Sequence, residues 1–306
     1  MKAFVSFFAC LCMLSLWPGN SSAQNNLDST LKYRIETLNG NEYIGKILSQ
    51  DSAKIYFSIH DLGAISISRA EIKKMEVFDT QRLKNGKYWF ENPQSSRYFW
   101  APNGYGLKSG EAYFQNVWVF YNQASVGVTD NFSIGAGMIP LFLFAGTSTP
   151  VWVVPKVSIP LVKDRVNLGI GAIAGTVLGV SQSGFGIVYG VSTFGSHDNN
   201  ASFGLGYGFA GGNWAKKPLI NISGMARVSS GTYLITENYI ISFSDNFLTL
   251  ISIGGRSIVK RSVGIDYGLV FPINSDIGSF FGFPWLGITI PMGKSPQPAR
   301  APVHRY

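Results

Sequence analysis

From residue 95 to residue 293, large apolar side chains recur at every second position, with small or polar residues between them. Over 201–209, Phe203, Leu205, Tyr207 and Phe209 share one face, and Ser202, Gly204, Gly206 and Gly208 share the other. Over 263–271, Val263, Ile265, Tyr267, Leu269 and Phe271 oppose Gly264, Asp266 and Gly268. Ile220, Ile222, Gly224 and Ala226 likewise oppose Asn221, Ser223, Met225 and Arg227. A period of two marks β-strands whose two faces meet different surroundings. A soluble sandwich turns its apolar face inward and needs charge on the outer one. Here the second face is mainly Gly, Ser and Asn, which suits a lipid-facing exterior around a narrow, wet interior.

Turn residues interrupt the pattern near Asp130, Thr147, Asp164, Ser181, Asp198, Asn213, Ser230, Asp245, Lys260, Ser275 and Gly293. The interval of about 15 to 17 residues fits one membrane-spanning strand of about ten residues and its turn. Breaks at 129–131, 163–164, 229–231 and 260–261 are tight, and those at 145–149, 211–217 and 273–280 are longer. In outer-membrane barrels short turns face the periplasm and long loops face outward. Counting back from a periplasmic Gly293, a strand over 113–128 starts outside and requires one earlier strand, assigned to 97–101. The expected fold class is therefore all-β: an antiparallel transmembrane β-barrel of about twelve strands over 93–294, with ten as the alternative. Trp100, Trp118, Trp152, Trp214 and Trp285 fall toward segment ends, where an interfacial girdle places them.

The first part of the chain differs. Residues 25–94 hold 19 charged side chains, whereas the longer 110–293 holds 17. Alternating segments at 33–38, 43–48, 54–59 and 64–67 are separated by Asn39-Gly40-Asn41, Gln50-Asp51-Ser52 and Asp61-Leu62-Gly63, so 24–92 reads as a small β domain. Tyr43, Tyr56 and Phe57 form either its core or an aromatic binding face. Ahead of it, Lys2, an apolar run over 3–17, Pro18-Gly19 and Ser21-Ser22-Ala23 compose a secretory signal over 1–23. Both cysteines, Cys10 and Cys12, fall inside that signal, which leaves the remainder without thiol chemistry. A Pro/Ala/Arg-rich tail occupies 295–306.

Two resemblances add to this. Leu38-Asn39-Gly40, Tyr43-Ile44-Gly45-Lys46-Ile47-Leu48, Gly63 and Ile72-Lys73-Lys74-Met75 resemble the small Sm/SH3-like barrels. Asn92-Pro93-Gln94-Ser95-Ser96-Arg97-Tyr98-Phe99, 110–116 and 127–135 resemble the uncharacterised outer-membrane β-barrels of Bacteroidetes-type Gram-negative bacteria. That second likeness implies a location and a fold, and no activity. The last strand, 287–292, is similar to the terminal signal read by the barrel-assembly machinery, with Met292 in place of the usual aromatic and a tail behind it.

Chemistry is sparse. His60, His197 and His304 are the only histidines, and none is placed for catalysis. No spacing of His, Cys or acidic residues suggests a metal site. No cofactor is indicated: Gly206-Tyr207-Gly208-Phe209-Ala210-Gly211 fits G-x-G-x-x-G, but it lies inside one strand, where the dinucleotide fingerprint needs a turn and a helix. The formal net charge of +8 is diffuse, with no basic run longer than two residues, which argues against nucleic acid.

The informative ionisable residues are those within strands: Arg227, Glu237, Arg256 and Asp266, with Asn221 and Asn238 nearby. Charge on a lipid face costs about 2–4 kcal/mol for Arg or Lys at the midplane, so these side chains should point inward. There they pack the lumen as ion pairs, line a solute-selective pore, or put their carboxylates to a catalytic use. The hairpin at 260–261 sets Arg256 roughly opposite Asp266, and Arg227 and Glu237 fall on adjacent strands. The expected function is a non-enzymatic outer-membrane scaffold or anchor with a periplasmic docking domain. Its expected partners are membrane lipid, the assembly machinery and a periplasmic protein. A narrow passive channel and a soluble secreted β-protein are the alternatives.

Overall fold

The computed structural model describes residues 31–59, 63–78, 83–84, 87–89, 92–243, 246–259, 262–273 and 282–293. The signal segment with Cys10 and Cys12, the tail over 295–306, His60 and His304 lie outside the described residues. The chain divides into two compact units, Met1–Thr80 and Gln81–Tyr306.

The first unit is a five-stranded antiparallel sheet of β1 (Lys32–Thr37), β2 (Glu42–Gln50), β3 (Lys54–Ile59), β4 (Gly63–Ser68) and β5 (Ile72–Val77), in the order β4-β3-β2-β1-β5. The turn after β1 is the expected one: Gly40 has φ +85°, and the Thr37 N–H donates to Asn41 O at 2.9 Å. Tyr33, Ile35, Ile47, Ile55, Phe57 and Ile67 form the core, with Tyr43 packed against it. Phe57 is a core residue, whereas Tyr56 is exposed.

The second unit begins with two-residue strands, β6 (Leu83–Lys84) and β7 (Lys87–Tyr88), and is otherwise a barrel. Its wall runs β8 (Glu111–Val117), β9 (Tyr121–Gly127), β10 (Phe132–Met138), β11 (Pro150–Val162), β12 (Val166–Val177), β13 (Phe185–Gly195) and β14 (Asn199–Ala210). After the short β15 (Asn213–Trp214), which pairs only with β14, come β16 (Leu219–Arg227), β17 (Thr232–Phe243), β18 (Asn246–Val259), β19 (Val263–Ile273) and β20 (Phe283–Gly293). A helix, α1 (Pro140–Phe144), lies between β10 and β11. Each wall strand pairs antiparallel with the next, and β20 pairs with β8, closing a barrel of twelve strands. Closure removes both free edges. Because the number is even, β8 begins and β20 ends at the same rim, the one that carries the tight turns at 128–131, 163–165, 196–198 and 228–231.

Twelve is the expected number, reached by a different set of strands. The stretch 113–128 is a hairpin, β8 and β9, reversing at Trp118 and Val119 with φ +50° and +68°. Successive residues at positive φ are normally Gly, Asn or Asp, so this reversal left no signal in the sequence. The stretch 97–101 is no wall strand. It makes one isolated bridge, Arg97 to Pro102, and lies inside the barrel, where Tyr98 and Phe99 are fully buried.

The alternation sorts by face as the strand geometry requires. On β14, Phe203, Leu205 and Tyr207 point outward and are 44–47% exposed, while Asn200 and Ser202 are buried. On β16 Ile222 is outward, and Asn221, Ser223, Met225 and Arg227 are buried. The barrel is therefore apolar outside and polar within.

Candidate functional site

The site is the lumen, and residues 92–110 occupy its tight-turn half. Wall side chains hold this inner segment mainly by its backbone. Arg256, fully buried on β18, forms an ion pair through Nε with Asp266 Oδ1 at 2.5 Å and donates through Nη1 to Gln94 O at 2.9 Å and through Nη2 to Tyr98 O. Asp266, opposite it on β19, also meets Arg97 Nη1 at 3.1 Å. Arg97 Nη1 further donates to Tyr98 O and Phe99 O, and its Nη2 to Gln94 Oε1 and Thr289 Oγ1. One buried carboxylate is thus flanked by two guanidiniums, and most of their remaining donors are met by carbonyl and hydroxyl oxygens, as buried charge requires, with Arg97 Nε buried without a partner among the described residues.

Around the rest of the segment, Glu237 Oε2 accepts the N–H groups of Trp100 and Ala101 at 2.9 and 3.0 Å, and its Oε1 accepts the Tyr239 hydroxyl at 2.7 Å. Tyr98 donates to Asn200 Oδ1 at 2.7 Å. The Gly104 N–H donates to Thr193 Oγ1 at 2.7 Å, Lys156 Nζ to Ser96 O and Tyr105 O, and Gln115 to Phe99 O at 3.0 Å. These contacts come from β8, β11, β13, β14, β17, β18, β19 and β20, so the segment is tied around most of the circumference.

The structure places the sequence-selected residues unevenly. Arg256 and Asp266 pair and Glu237 clamps the inner segment. Arg227 does not meet Glu237. It binds Asp198 Oδ2 at 2.9 Å and the carbonyls of Ser229 and Ser230, with Trp89 and Tyr233 against its guanidinium, and so braces the tight-turn rim. The register explains this: Arg227 lies opposite Tyr233 and Glu237 opposite Ser223, several residues apart along the strands. Asn221 donates to Asn238 O at 3.0 Å. His197 stands against the Tyr105 ring at 3.9 Å and 3.8 Å from Asp164.

The tryptophans do not form one girdle. Trp118 and Trp214 are exposed near the long-connection rim, and Trp285 packs between Phe99 and Trp118. Trp100 belongs to the inner segment, and Trp152 is buried toward the lumen because Gly137, its cross-strand partner, leaves a slot for its ring. Lys156 was missed, although a lone lysine in the middle of a long alternating strand is the same signal that picked out Arg256.

Above the inner segment lies a cavity of about 510 Å³. Trp100, Ala101 and Pro102 form its floor, and its walls reach up to Ile139, Pro150, Phe185, Phe209 and Leu219 at the strand ends of the long-connection rim. Gly204, Gly206 and Gly208 of β14 face it, which is why no side chain fills it from that side. Among the described residues no group of three or more His, Cys, Asp or Glu could hold a metal ion, and no helix is long and apolar enough to cross a membrane.

No family model matches the sequence, and no curated protein matches it. Among solved structures, the chain is similar to a "KdgM porin" at 7% identity and a TM-score of 0.45, over 59% of this chain and 98% of that one. It is also similar to a "CymD monoaromatic hydrocarbon channel" at 9% identity and a TM-score of 0.33, over 62% of this chain and 90% of that one. Likenesses this distant say nothing about function.

Proposed function

We propose that this chain is an outer-membrane channel for small solutes, held closed by its inner segment, with the tight-turn rim and the N-terminal sheet on the periplasmic side. Membrane placement follows from the outward face. Val153, Val157, Ile159 and Leu161 on β11, Phe203, Leu205 and Tyr207 on β14 and Ile251 and Ile253 on β18 are all exposed, far more contiguous apolar surface than a water-soluble protein presents. Orientation follows from the tight turns and the shared rim of β8 and β20. Membrane lipid and the assembly machinery are the partners this reading implies.

A channel is favoured over a scaffold by one observation. The lumen is filled by a separate length of chain, clamped through its backbone, with an empty cavity beside it. A scaffold needs only a wall whose side chains pack against one another. Here the filling is a part separate from the wall, held at identifiable points that would serve as its latch: Arg256, Asp266 and Glu237.

Conductance in planar bilayers tests this. The native protein should be silent or open rarely, and the double variant Arg256→Ala/Glu237→Ala should show frequent steps. Silence from a variant that still migrates as a folded, heat-modifiable barrel would reject the channel and return the reading to a scaffold. Recovery of the native protein in a soluble fraction would reject the membrane placement itself.

A further inference from the structure

We infer that the cavity is a binding site for a small, uncharged hydrophobic molecule, and that this molecule exchanges sideways with the bilayer over a low part of the wall. The inference deepens the channel reading and rests on its membrane placement.

The ligand class follows from the lining. At about 510 Å³ the cavity lies within the range of small-molecule sites, roughly 300–1,000 Å³. Its surface is mostly carbon, from Pro102, Ile173, Phe185, Ile187 and Val191 among others. The polar groups at its edge are largely engaged within the protein. The Asn221 amide donates to Asn238 O and its carbonyl oxygen accepts from Ser223, the Tyr121 hydroxyl donates to Gln123, and the Tyr239 hydroxyl donates to Glu237. Of the tyrosine hydroxyls there, that of Tyr189 is buried without a partner among the described residues. A charged or polyhydroxylated solute would lose its hydration here and recover little. A hydrocarbon, or one carrying a single hydroxyl, loses nothing.

The route follows from strand length. β8, β9 and β10 have seven residues each, against 13 in β11 and 11 in β20. Val117 pairs with Gly287, so residues 283–286 of β20 stand above β8 at the long-connection rim. Met138 pairs with Val151 and Phe132 with Val157, so β11 outlasts β10 mainly at the tight-turn rim. At about 3.3 Å per residue and a tilt of ~40°, seven residues raise the wall about 18 Å, short of the roughly 25 Å apolar band of such barrels. With four residues of β20 above Val117, the wall is low over β8 and β9 on the side of the cavity. What surrounds the gap is apolar: Trp118, Val119 and Phe120 at the hairpin tip and Leu141 to Phe144 of α1 are all exposed.

The backbone at the gap is finished for lipid, where unpaired polar groups are costly. On the β20 flank stands Pro284, which has no N–H, and its carbonyl accepts the Trp118 indole N–H at 2.7 Å. Leu286 O beside it accepts the Trp118 backbone N–H at 3.0 Å. On the other flank β11 starts at Pro150, again without an N–H, and its carbonyl accepts from Ile139. Just inside the gap Tyr121 stacks on Trp152 at 4.8 Å and Trp100 meets Tyr121 edge-on at 6.4 Å, and all three line the cavity.

The test uses single cysteines, since the only native ones are Cys10 and Cys12. At Gly208 an added Cβ would lie 3.7 Å from its nearest neighbour, so Gly208→Cys fits; Gly204→Cys, at 3.5 Å, is the second choice should the first fail to give a heat-modifiable barrel. In lipid vesicles, bilayer-dissolved N-(1-pyrenyl)maleimide should label this cysteine at least tenfold faster than an aqueous anionic methanethiosulfonate, each rate referred to a free thiol. Naphthalene should slow the labelling and naphthalene-2-sulfonate should not. Equal labelling by the aqueous anion, no labelling by either reagent, or no protection by naphthalene would each overturn the inference. Conductance of the latch variant is read separately: steps without naphthalene protection would remove this inference and leave the channel reading intact.

Discussion

Arg97 and Asp266 are 169 residues apart in sequence, yet Arg97 Nη1 lies 3.1 Å from Asp266 Oδ2, with both side chains nearly excluded from solvent. The contact joins the inner segment to the wall, and Arg256 closes it from the other side of the same carboxylate. One carboxylate thus ties the inner segment to both β18 and β19.

Asp266→Ala leaves two buried guanidiniums facing one another without their anion. Breaking a buried pair in this way costs about 3–5 kcal/mol. The temperature at which the folded band converts to the unfolded one on a denaturing gel should fall, and residues 92–110 should become sensitive to protease. A variant as heat-resistant and protease-resistant as the native chain would show that the carboxylate is not the latch.

Glu237→Gln keeps the size of the side chain but removes the charge that strengthens its bonds to the Trp100 and Ala101 N–H groups. Hydrogen bonds to a charged group contribute about 1.5–3 kcal/mol each and neutral ones less. The floor of the cavity should loosen, seen as greater quenching of tryptophan fluorescence by acrylamide, with the barrel still closed. Unchanged quenching would assign Glu237 no part in holding the segment.

Wall glycines should divide into two groups. A Cβ at Gly171 would lie 2.5 Å from the Tyr189 hydroxyl, and one at Gly137 would run into the Trp152 ring. Alanine at either should destabilise the barrel by about 1–3 kcal/mol, the usual cost of overpacking. Gly204→Ala and Gly208→Ala, whose added Cβ would meet only ordinary contacts at 3.5 Å or more, should melt like the native protein. Equal melting of all four would mean that the aromatic rings are free to move away.

The hairpin tip stores strain. Val119 is β-branched at φ +68°, a conformation that costs such a residue on the order of 1–3 kcal/mol. Val119→Gly should therefore raise the unfolding temperature of the barrel. A lowered one would mean that the exposed isopropyl group contributes more in the membrane than the backbone loses.

In the N-terminal sheet, Glu36 accepts a hydrogen bond from Lys73 Nζ at 2.6 Å, which holds its carboxyl below the usual carboxylate range. A carboxyl lowered on folding adds stability above its unfolded pKa, and that stability is lost as pH falls through the folded value. Lys73→Met should shift the Glu36 carboxyl titration, followed by carbon NMR in the full chain, upward toward the ordinary value. A titration that stays in place would assign the effect to Arg34 or Lys74 instead.

The alternation of apolar and small residues determined by itself that the strands form a wall with two different faces, because side-chain direction in a strand is set within a few residues. Turns such as those at Asp130, Asp164, Asp198 and Ser230 were readable from their own residues, and those expected at Asp245, Lys260 and Ser275 lie outside the described residues. The inward direction of Arg227, Glu237, Arg256 and Asp266 followed from the alternation. Only tertiary structure decided which segments make the wall. Arg97 to Ala101 have the apolar content of a strand, and nothing local distinguishes a strand in the wall from a segment held inside it. The Trp118-Val119 reversal carries no turn residue, since its conformation is imposed by the closing of β8 against β9 and β20. Partner choice is likewise non-local. Arg227 finds Asp198 and Glu237 finds two backbone amides because strand register and the path of residues 92–110 bring them together. The cavity and the low wall are differences in strand length around a closed ring, which exist only once the ring is closed.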